Sequence, residues 1–375
     1  MGNVNKHDIT RNACQLFGKQ AECGYDWWWH SFTGINEKTG KEQAFFIEFF
    51  VCNPALGGDK PVFGQLAENK AKGVKPSYLM VKAGAWGKDA KQLHRFFGWN
   101  EVNMDWGVPF RVLAKNCFAT ENELLGSIDI SEEDANAHPE WMCDAGSISW
   151  HLKVDKKIAY NVGYGASKPM RYLQLFEMFW HAEGMKTEYT GEVIYNGETY
   201  IVSPDTCYGY ADKNWGKDFT SPWVWISSCD LTSEKSGKKL KNSVFDIGGG
   251  RPKIGPVALD RKLLSAFFYE GRSFEFNFSK FWTGTRTEFE SHETDTQIVW
   301  HVKQRTWRNM MVTDLSCEKE DMLFVNYEAP NGLKRHNRLW NGGNGKGTVK
   351  LYRDGKLIDS ICVEHAGCEY GEYTE

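Results

Sequence analysis

The chain has 375 residues, a formal net charge of -4, 41% hydrophobic residues and 14% aromatic residues, including sixteen Trp. This length exceeds the size at which one hydrophobic core usually keeps growing, so two domains are expected. The charge lacks the basic excess that nucleic-acid binding requires, and no long apolar run or apolar N-terminal signal suggests a membrane segment or classical export. We expect a cytoplasmic globular protein, and the sequence leaves its oligomeric state open.

Ten cysteines are scattered along the chain without a Cys-x-x-Cys pair or the Cys/His spacing of a zinc site. Such cysteines are typical of small buried side chains in a reducing compartment. The sequence therefore predicts neither a metal nor another cofactor.

Most of the chain has the pattern of β-strands separated by Gly, Asn and Asp turns. The stretches with this pattern are YDWWWHSF, EQAFFIEFFVCN, SYLMVKAGAW, SISWHLKV, TGEVIYNGETYIVS, WVWISSCDL, SFEFNFSKFW, TQIVWHVKQR and GTVKLYRDGKLIDSICV. In EQAFFIEFFVCN, alternation places Phe46, Glu48 and Phe50 on one face and the apolar residues between them on the other. Both faces of this strand must therefore be covered.

Two segments depart from the strand pattern. KPMRYLQLFEMFWHAEGM, residues 168–185, predicts one short linking helix, with Pro169 near its start and Gly184 near its end. GGGRPK, from Gly248, lacks the Lys-Ser/Thr pair of a phosphate-binding loop, so we expect a tight connection between strands there.

Two patterns occur twice in the same order. WHSFTGINEKTGKEQAFF, from Trp29, resembles WISSCDLTSEKSGKKLKNSVF, from Trp225, and ISWHLK in the first half resembles IVWHVK in the second. In the second pair, His151 and His301 should point outward where the preceding tryptophans point inward. This self-similarity indicates a duplicated β module.

The duplication predicts an all-β protein with two β-barrel or β-sandwich domains, residues 1–165 and residues 166–375. An aromatic-lined interface between two such domains is a place where ligand pockets form. The polar residues inside aromatic surroundings are therefore the candidates for the functional site.

Glu48 is one such candidate. Burial among aromatic side chains raises the pKa of a carboxyl group, and a carboxyl with a raised pKa is a usable general acid. The alternative is an ion pair with a buried Arg or Lys, for which Arg111 and Arg251 are candidates.

Two histidines also lie in aromatic surroundings. His30 follows three tryptophans and shares a strand face with Asp26, Trp28 and Phe32, whereas His181 follows Phe179 and Trp180. Each is either a residue that contacts a ligand or a hydrogen-bonded core residue.

The octapeptide GYADKNWG, residues 209–216, places Asp212, Lys213 and Asn214 directly before Trp215. We expect it to bring an acceptor, a donor and an indole to one pocket rim. The alternative is a turn between strands, because Asp and Asn are common turn residues.

This octapeptide also carries a resemblance. The segment GEVIYNGETYIVSPDTCYGYADKNWGKDFTSPWVWISSCDL, with WHAEGMKTEY and SVFDIGGGRP, resembles the tocopherol cyclase-like proteins, in which a DKNWG-type motif precedes a Trp-rich strand. Here that motif is residues 212–216, followed by Trp223 and Trp225. The resemblance implies two lipocalin-like β domains, related in architecture to carotenoid hydratases.

The resemblance further implies a cofactor-free cyclase or isomerase, an intramolecular lyase that closes an oxygen ring on a hydrophobic phenolic or prenylated small molecule. We expect Asp212 or Glu48 to protonate an alkene, Lys213 and Asn214 to orient the substrate oxygen, and a histidine to relay the proton. His30 and His181 are the candidates for that relay.

Aromatic side chains are expected to shape the substrate cavity and stabilise positive charge. These residues are Trp28, Trp215, Trp225, Tyr210 and Phe46. Two alternatives stay open: a hydratase, in which water captures the protonated polyene or enone, and a non-catalytic lipocalin-like carrier of a hydrophobic small molecule.

Overall fold

The computed structural model describes residues 6–160, 173, 176–251, 253–254, 257–258 and 262–371. The protein is all-β, with two large antiparallel sheets and few helices. No helix in these ranges is long and apolar enough to cross a membrane.

The first sheet has twelve strands and covers the N-terminal part of the chain. Its strands are β1 Tyr25–Asn36, β2 Glu42–Cys52, β3 Tyr78–Ala85, β4 Lys91–Phe97, β5 Val102–Asp105, β6 Arg111–Ala114, β7 Cys117–Thr120, β8 Glu123–Ile130, β9 Gly146–Tyr160, β10 Met178–Tyr195, β11 Glu198–Val202 and β12 Gly209–Gly216.

The second sheet has eleven strands, and a separate pair, β16 and β17, lies outside it. The strands in this part are β13 Trp223–Ser228, β14 Asp230–Ser233, β15 Val244–Gly250, β16 Lys253–Ile254, β17 Val257–Ala258, β18 Lys262–Tyr269, β19 Arg272–Asn277, β20 Arg286–Glu293, β21 Gln297–Arg305, β22 Asn309–Glu318, β23 Met322–Glu328, β24 Arg335–Arg353 and β25 Lys356–Gly371.

Helical segments in the described part of the chain are short. The α-helices are α1 Lys6–Arg11, α2 Ala67–Ala71 and α3 Glu132–Ala137, and the 3-10 turns are Gly18–Ala21, Pro54–Leu56, Trp99–Glu101, Pro139–Trp141, Phe281–Thr283 and Lys319–Asp321.

The first sheet runs in the order β4-β3-β2-β1-β11-β10-β9-β8-β7-β6-β5, and β12 fits between β1 and β10 beside β11. It curls until β4 approaches β8 and β9. The second sheet runs in the order β19-β18-β15-β13-β25-β24-β22-β21-β20. β12 and β13 are consecutive in sequence but belong to different sheets, so the chain crosses between the sheets at residues 217–222.

Three apolar cores result from the strand alternation. One fills the first sheet and contains Trp150, another fills the second sheet and contains Trp300, and the third lies between the sheets. The predicted faces of β2 are confirmed, because Phe46 and Phe50 belong to the core between the sheets and the residues alternating with them belong to the first core.

Each sheet contains one copy of the repeated Trp-His pattern. Trp150 on β9 and Trp300 on β21 are buried, whereas the side chains of His151 and His301 are about half exposed, at 59% and 49%. The predicted orientation of both histidines is therefore confirmed.

Two local predictions differ from the structure. The predicted helix falls partly on residues outside those described, and from Met178 onward the segment is strand β10, which pairs with β9 and β12. Gly248 lies inside β15 and pairs with Trp225 and Leu264, so the glycine run is a strand and not a turn. In both places pairing with neighbouring strands overrides the local preference.

The predicted boundary at residues 165/166 places β10, β11 and β12 with the C-terminal domain. These strands pair in the first sheet. Independent folding of residues 1–165 and 166–375 stays a prediction.

All ten cysteines are free thiols, and five of them are buried. Burial raises the pKa of the Cys14, Cys52 and Cys368 thiols, so these groups stay protonated.

Candidate functional site

Polar side chains from neighbouring strands form a row on the face of the first sheet that meets the second sheet. The strand register places Asp212, Trp29, Glu48, Lys82 and His94 opposite one another across β12, β1, β2, β3 and β4. All five side chains are buried. Cross-strand neighbours on one face lie within contact distance, so this row is a continuous polar strip inside an aromatic core.

A second row faces it from the other sheet. Trp225 on β13 lies opposite Glu369 on β25, which lies opposite Asn341 on β24. Trp86 links the rows, because its Nε1 donates to the Asn341 Oδ1 at 2.7 Å.

Asp212 is held by neutral donors. The Trp180 Nε1 donates to its Oδ2 at 2.7 Å, and the Tyr210 hydroxyl donates to the same oxygen at 3.2 Å. Burial raises the pKa of Asp212 well above its ordinary value, because these two hydrogen bonds offset only part of the desolvation. Asp212 therefore keeps a proton at pH values where exposed aspartates are ionised.

Asp246 on β15 is connected to Asp212 through the Tyr210 hydroxyl. The Tyr210 hydroxyl lies 3.2 Å from the Asp212 Oδ2 and 3.1 Å from the Asp246 Oδ2, so it bridges the two carboxyl groups. Trp225 Nε1 donates to the Asp246 Oδ1 at 3.1 Å. Burial and the nearby Asp212 raise the pKa of Asp246 well above its usual range.

Glu369 extends the carboxyl cluster from the second sheet. It accepts hydrogen bonds from Trp223 and Asn341, and burial raises its pKa to about 7. Three carboxyl groups thus share a site lined by indoles, where one or more protons are retained at neutral pH.

Glu48 has a different environment. The Lys82 Nζ lies 2.9 Å from the Glu48 Oε2, and the Tyr327 hydroxyl donates to the same oxygen at 3.0 Å. Glu48 therefore forms a buried ion pair, as the alternative prediction states. Its partner is Lys82 and neither Arg111 nor Arg251. Burial lowers the pKa of Lys82 to about 8 and raises that of Glu48, against the attraction between them.

A small cavity of about 10 Å³ lies between the two rows. Its walls are formed by aromatic and acidic side chains: Trp27, Trp29, Trp223, Trp225, Tyr327, Asp212 and Glu369. This volume holds about one water molecule. A substrate therefore needs the surrounding rings to move apart.

Two polar atoms in the walls of this cavity lack a hydrogen-bond partner among the described residues. They are the Asp212 Oδ1 and the Trp29 Nε1, and both are buried. Trp29 lies opposite Asp212 across β1 and β12. Because an unsatisfied buried polar group is costly, this pair of an acid oxygen and an N–H donor is suited to a ligand oxygen or a water.

A second cavity of about 20 Å³ lies beside Tyr210 and Trp225. Hydroxyl-bearing residues line part of it, namely Ser31, Ser227 and Ser228. It also has room for about one water, next to the residues that hold Asp246.

The octapeptide is a buried strand, so its residues alternate between the two sides of the first sheet. Asp212 and Asn214 face the second sheet, where the Tyr25 hydroxyl donates to the Asn214 Oδ1 at 2.8 Å. Lys213 faces the other side and pairs with Asp26. The three neighbours in sequence therefore do not meet in one pocket.

Trp28 and Trp215 lie on the same side of the sheet as Lys213. The Lys213 Nζ is 4.5 Å from the Trp28 ring centroid and 5.0 Å from that of Trp215, and Trp215 stacks on Phe179 at 5.6 Å. These indoles enclose a buried cation and do not line the cavity at Asp212.

Both predicted histidines are also on that side. The His30 Nδ1 lies 2.9 Å from the Tyr189 hydroxyl, and the His181 Nε2 lies 3.1 Å from the Asn12 Oδ1. Burial lowers the pKa of both rings well below the usual value, so both stay neutral.

The structure thus brings together Asp212, Tyr210 and Trp225 at the cavity. Phe46 stacks on Trp29 at 5.3 Å between ring centroids, and Glu48 lies in the same polar row.

Several residues of the site were not among the sequence candidates. These are Trp29, Lys82, Trp180, Trp223, Asp246, Tyr327, Asn341 and Glu369. Asp246 carried a usable signal, because a lone carboxylate between Phe245 and Ile247 in a strand has the pattern that singled out Glu48.

In the described ranges, no group of three or more His, Cys, Asp and Glu side chains has a geometry that could hold a metal ion. No curated protein matches the sequence. A sequence model described as tocopherol cyclase-like matches residues 116–371, which is more than half of the chain.

Two solved structures are similar across the whole chain, each at 12% sequence identity. One is a protein from Nitrosomonas europaea described as AttH, with a TM-score of 0.45 and 100% of both chains covered. The other is kievitone hydratase from Nectria haematococca, with a TM-score of 0.47, 100% of this chain and 97% of that chain covered.

Proposed function

Because the chain belongs to the tocopherol cyclase-like family, we propose that it is a cofactor-free cyclase acting on a hydrophobic phenol that carries an alkene. Asp212 is the proton donor, and the Trp29 Nε1 holds the substrate oxygen. The product is an isomer of the substrate with a new oxygen-containing ring.

One observation carries this proposal. The Asp212 Oδ1 is buried and unpartnered within the described chain, and the Asp212 residue lines a cavity with four indole walls. Burial raises the pKa of this carboxyl group well above its usual range. A protonated acid directed into an aromatic cavity is suited to protonating an alkene.

The reaction begins with transfer of the Asp212 proton to one alkene carbon, which uses the π electron pair to form a C–H bond. The other alkene carbon becomes cationic, and indole faces stabilise such charge by about 1–2 kcal/mol per well-placed ring. Trp27, Trp29, Trp223 and Trp225 are the indoles in the cavity walls.

The phenol oxygen then adds to the cationic carbon and forms the C–O bond. Its proton returns to the Asp212 carboxylate, either directly or through the Tyr210 hydroxyl that also contacts Asp246. Holding the oxygen and the alkene close together supplies up to about 7–11 kcal/mol in ideal intramolecular reactions.

Asn214 and Glu48 support the site in this proposal, and Phe46 packs behind Trp29. Lys213, His30 and His181 receive no catalytic role, because they lie on the opposite side of the first sheet. Trp28 and Trp215 enclose Lys213 and are structural for the same reason.

A hydratase is the second candidate function, and the serine-lined cavity beside Tyr210 favours it. A water bound in that cavity would lie beside Tyr210, which contacts both Asp212 and Asp246, and would supply an external nucleophile for the same protonated alkene. The acid step is common to both functions, and only the nucleophile differs.

The test is an incubation of the purified 375-residue chain with alkenyl phenols, prenylated quinols and polyenes, followed by mass spectrometry. A product of unchanged mass supports the cyclase, and a gain of one water with oxygen-18 from labelled solvent supports the hydratase. Asp212→Asn should lower turnover about 10²-fold or more, since a positioned general acid typically contributes 10²–10⁴-fold.

Asp314→Asn is the matched control, because Asp314 is an exposed aspartate on β22 that pairs with His301. It should leave turnover unchanged. Full turnover in Asp212→Asn contradicts the assigned acid, and tight binding without any product points to a carrier.

A further inference from the structure

A separate apolar pocket of about 70 Å³ lies next to the acid cavity. Its apolar side chains include Phe176, Met178, Phe179, Leu264 and Phe278. Its lining contains no carboxylate, and its polar side chains are those of Lys262, Thr220 and Ser279. We call this space the tail pocket. The cavity at Asp212 is about 10 Å³, so the tail pocket has several times its volume.

The two spaces share a wall of two indoles. Trp223 lines both of them, and Trp180 lines the tail pocket while its Nε1 donates to Asp212. The two rings meet edge to face, with centroids 6.5 Å apart and an interplanar angle of 87°. A movement of either ring therefore joins the tail pocket to the acid cavity.

Glycines on β15 keep this space free of side chains. A Cβ at Gly248 would lie 2.6 Å from the Trp180 ring, and a Cβ at Gly250 would lie 1.8 Å from the Pro222 carbonyl oxygen. Both positions therefore need glycine for close packing, and residues 248–250 line one side of the pocket.

We propose that the tail pocket binds the hydrocarbon chain of the substrate, so that the alkene next to the phenolic head lies at Asp212. Leu264 determines how long a chain fits. It lies opposite Gly248 across β15 and β18 and is only partly buried, so its side chain can change without removing a fully buried core residue. This inference rests on the proposed function and specifies its substrate class.

The chemistry of the lining selects this occupant. Trp29 and Asp212 offer an N–H and an acid to the polar head, whereas the tail pocket offers mainly aromatic and aliphatic carbon. Each methylene that leaves water for such a surface contributes about a fourfold gain in affinity. A ligand with a phenol at one end and a chain at the other satisfies both spaces.

The experiment measures binding, which does not depend on turnover. Isothermal titration of the protein with 2-n-alkylphenols of two to ten carbons, which carry the chain ortho to the hydroxyl as the ring closure requires, should give a Kd that falls about fourfold per methylene and then levels off. Leu264→Trp should reach this limit at a shorter chain, and Leu264→Ala at a longer one.

Leu357→Trp is the matched control, since Leu357 is 51% exposed at the start of β25. In this variant Kd should level off at the same chain length as in the unmodified protein. Circular dichroism establishes that each variant is folded, and Leu264→Ala keeps the test valid if the larger side chain prevents folding.

Equal effects of the Leu264 variants on short and long phenols, or no dependence of Kd on chain length, overturn the tail pocket. A chain-length limit that shifts with Leu264, in a protein that forms no product, instead leaves the tail pocket standing and rejects the proposed cyclase. The two failures are therefore distinguishable.

Discussion

Asp212 and Glu48 are carboxylic acids in the same polar row, yet their surroundings give them different chemistry. Glu48 lies 2.9 Å from an ammonium group, whereas Asp212 has neutral donors and the carboxyl groups of Asp246 and Glu369 nearby. A nearby cation favours the ionised acid, and nearby carboxylates favour the protonated one. The environment therefore favours Asp212 as the proton donor.

The pH dependence of turnover tests this assignment. Asp212 acts as an acid only while protonated, so kcat should fall as pH rises through its raised pKa. The Tyr210 hydrogen bond lowers this pKa, so Tyr210→Phe should move the fall to higher pH by about 0.5–1 unit, the equivalent of one hydrogen bond. Steady-state kcat between pH 5 and 10 measures the shift.

Tyr352→Phe serves as the control for this experiment, because Tyr352 lies near the β24–β25 turn, away from the carboxyl cluster. Its profile should match that of the unmodified protein. If the kcat of Tyr210→Phe falls at the same pH as the kcat of the unmodified protein, or at a lower pH, the hydrogen bond from Tyr210 to Asp212 is contradicted.

The Glu48–Lys82 pair gives a prediction about stability. Glu48→Gln removes the counter-charge of a fully buried lysine, and breaking such a pair typically costs about 3–5 kcal/mol. The free energy of unfolding, measured with urea at pH 7, should fall by about that amount. Replacing both residues, by Glu48→Leu and Lys82→Met, should recover most of it, because no charge is then left unpaired.

If Glu48→Gln and the double variant are equally stable, the pair is not the buried contact described above.

The sequence identified Glu48 as a buried carboxylate that is either a general acid or a member of an ion pair. It could not identify Lys82, because that contact depends on the register between β2 and β3, which are joined by a long and irregular connection.

Along each strand, alternation of side chains determines which candidate residues lie on the side of the first sheet that faces the cavity. Alternation in β2 was read correctly from its aromatic residues, and both faces are buried as expected. In the octapeptide the turn preference of Asp and Asn conceals the same alternation. As strand β12, it sends Asp212 toward the second sheet and Lys213 away from it.

Strand β10 shows why local preference failed elsewhere. The segment contains Leu, Met and Glu, which favour helices, and a proline near its start. From Met178 it instead pairs with β9 and β12, where His181 lies opposite Lys213. Sheet pairing is a non-local interaction that a single-segment pattern does not report.

Gly248 allows a test of the close packing between strand β15 and the Trp180 ring. Gly248→Ala places a methyl group 2.6 Å from the Trp180 ring and forces that indole to move. The hydrogen bond from Trp180 to Asp212 should weaken, and overpacking of this kind costs about 1–3 kcal/mol. The free energy of unfolding, measured with urea, and kcat should both fall.

Gly107→Ala is the control, because a Cβ at Gly107 meets no atom within 4 Å. It should change neither value by more than the experimental error. Unaltered stability and kcat in Gly248→Ala contradict the close contact between β15 and the indole that holds the acid.

At the scale of the whole molecule, the duplicated sequence patterns correspond to two curled sheets. Trp29 and Trp225 begin the first repeated pattern, one in each sheet, and both line the cavity at Asp212. The repeat therefore predicted an aromatic interface between two β units. The repeat does not indicate which sheet contains β10, β11 and β12. These strands follow the first half in sequence but pair with β1 and β9 in the first sheet.

The two sheets are also joined by a polar contact outside the acid cavity. His365 on β25 contacts Asp230 of its own sheet at 2.6 Å and Glu42 of the first sheet at 2.7 Å, and it stacks on Tyr208 with centroids 4.1 Å apart. Its two carboxylate partners raise the pKa of His365 to about 9, against the desolvation that lowers it.

This contact predicts how stability depends on pH. A histidine whose pKa is raised from 6.5 in the unfolded chain to about 9 in the folded protein stabilises the fold fully below pH 6.5, and the stabilisation is lost as pH rises through 9. His365→Gln should therefore lower the free energy of unfolding by about 1–3 kcal/mol at pH 6.5, after allowance for solvent screening at this partly exposed site.

The difference between the His365→Gln variant and the unmodified protein should shrink between pH 6.5 and 9 and be nearly absent at pH 10, as measured by urea unfolding at each pH. His301→Gln is the control, because His301 pairs with Asp314 on the exposed face of one sheet, where an ion pair contributes less than about 1 kcal/mol. A loss in His365→Gln that is the same at pH 6.5 and pH 10 would come from packing alone. Only a loss confined to the lower pH values fits a protonated histidine that holds Glu42 and Asp230 together across the two sheets.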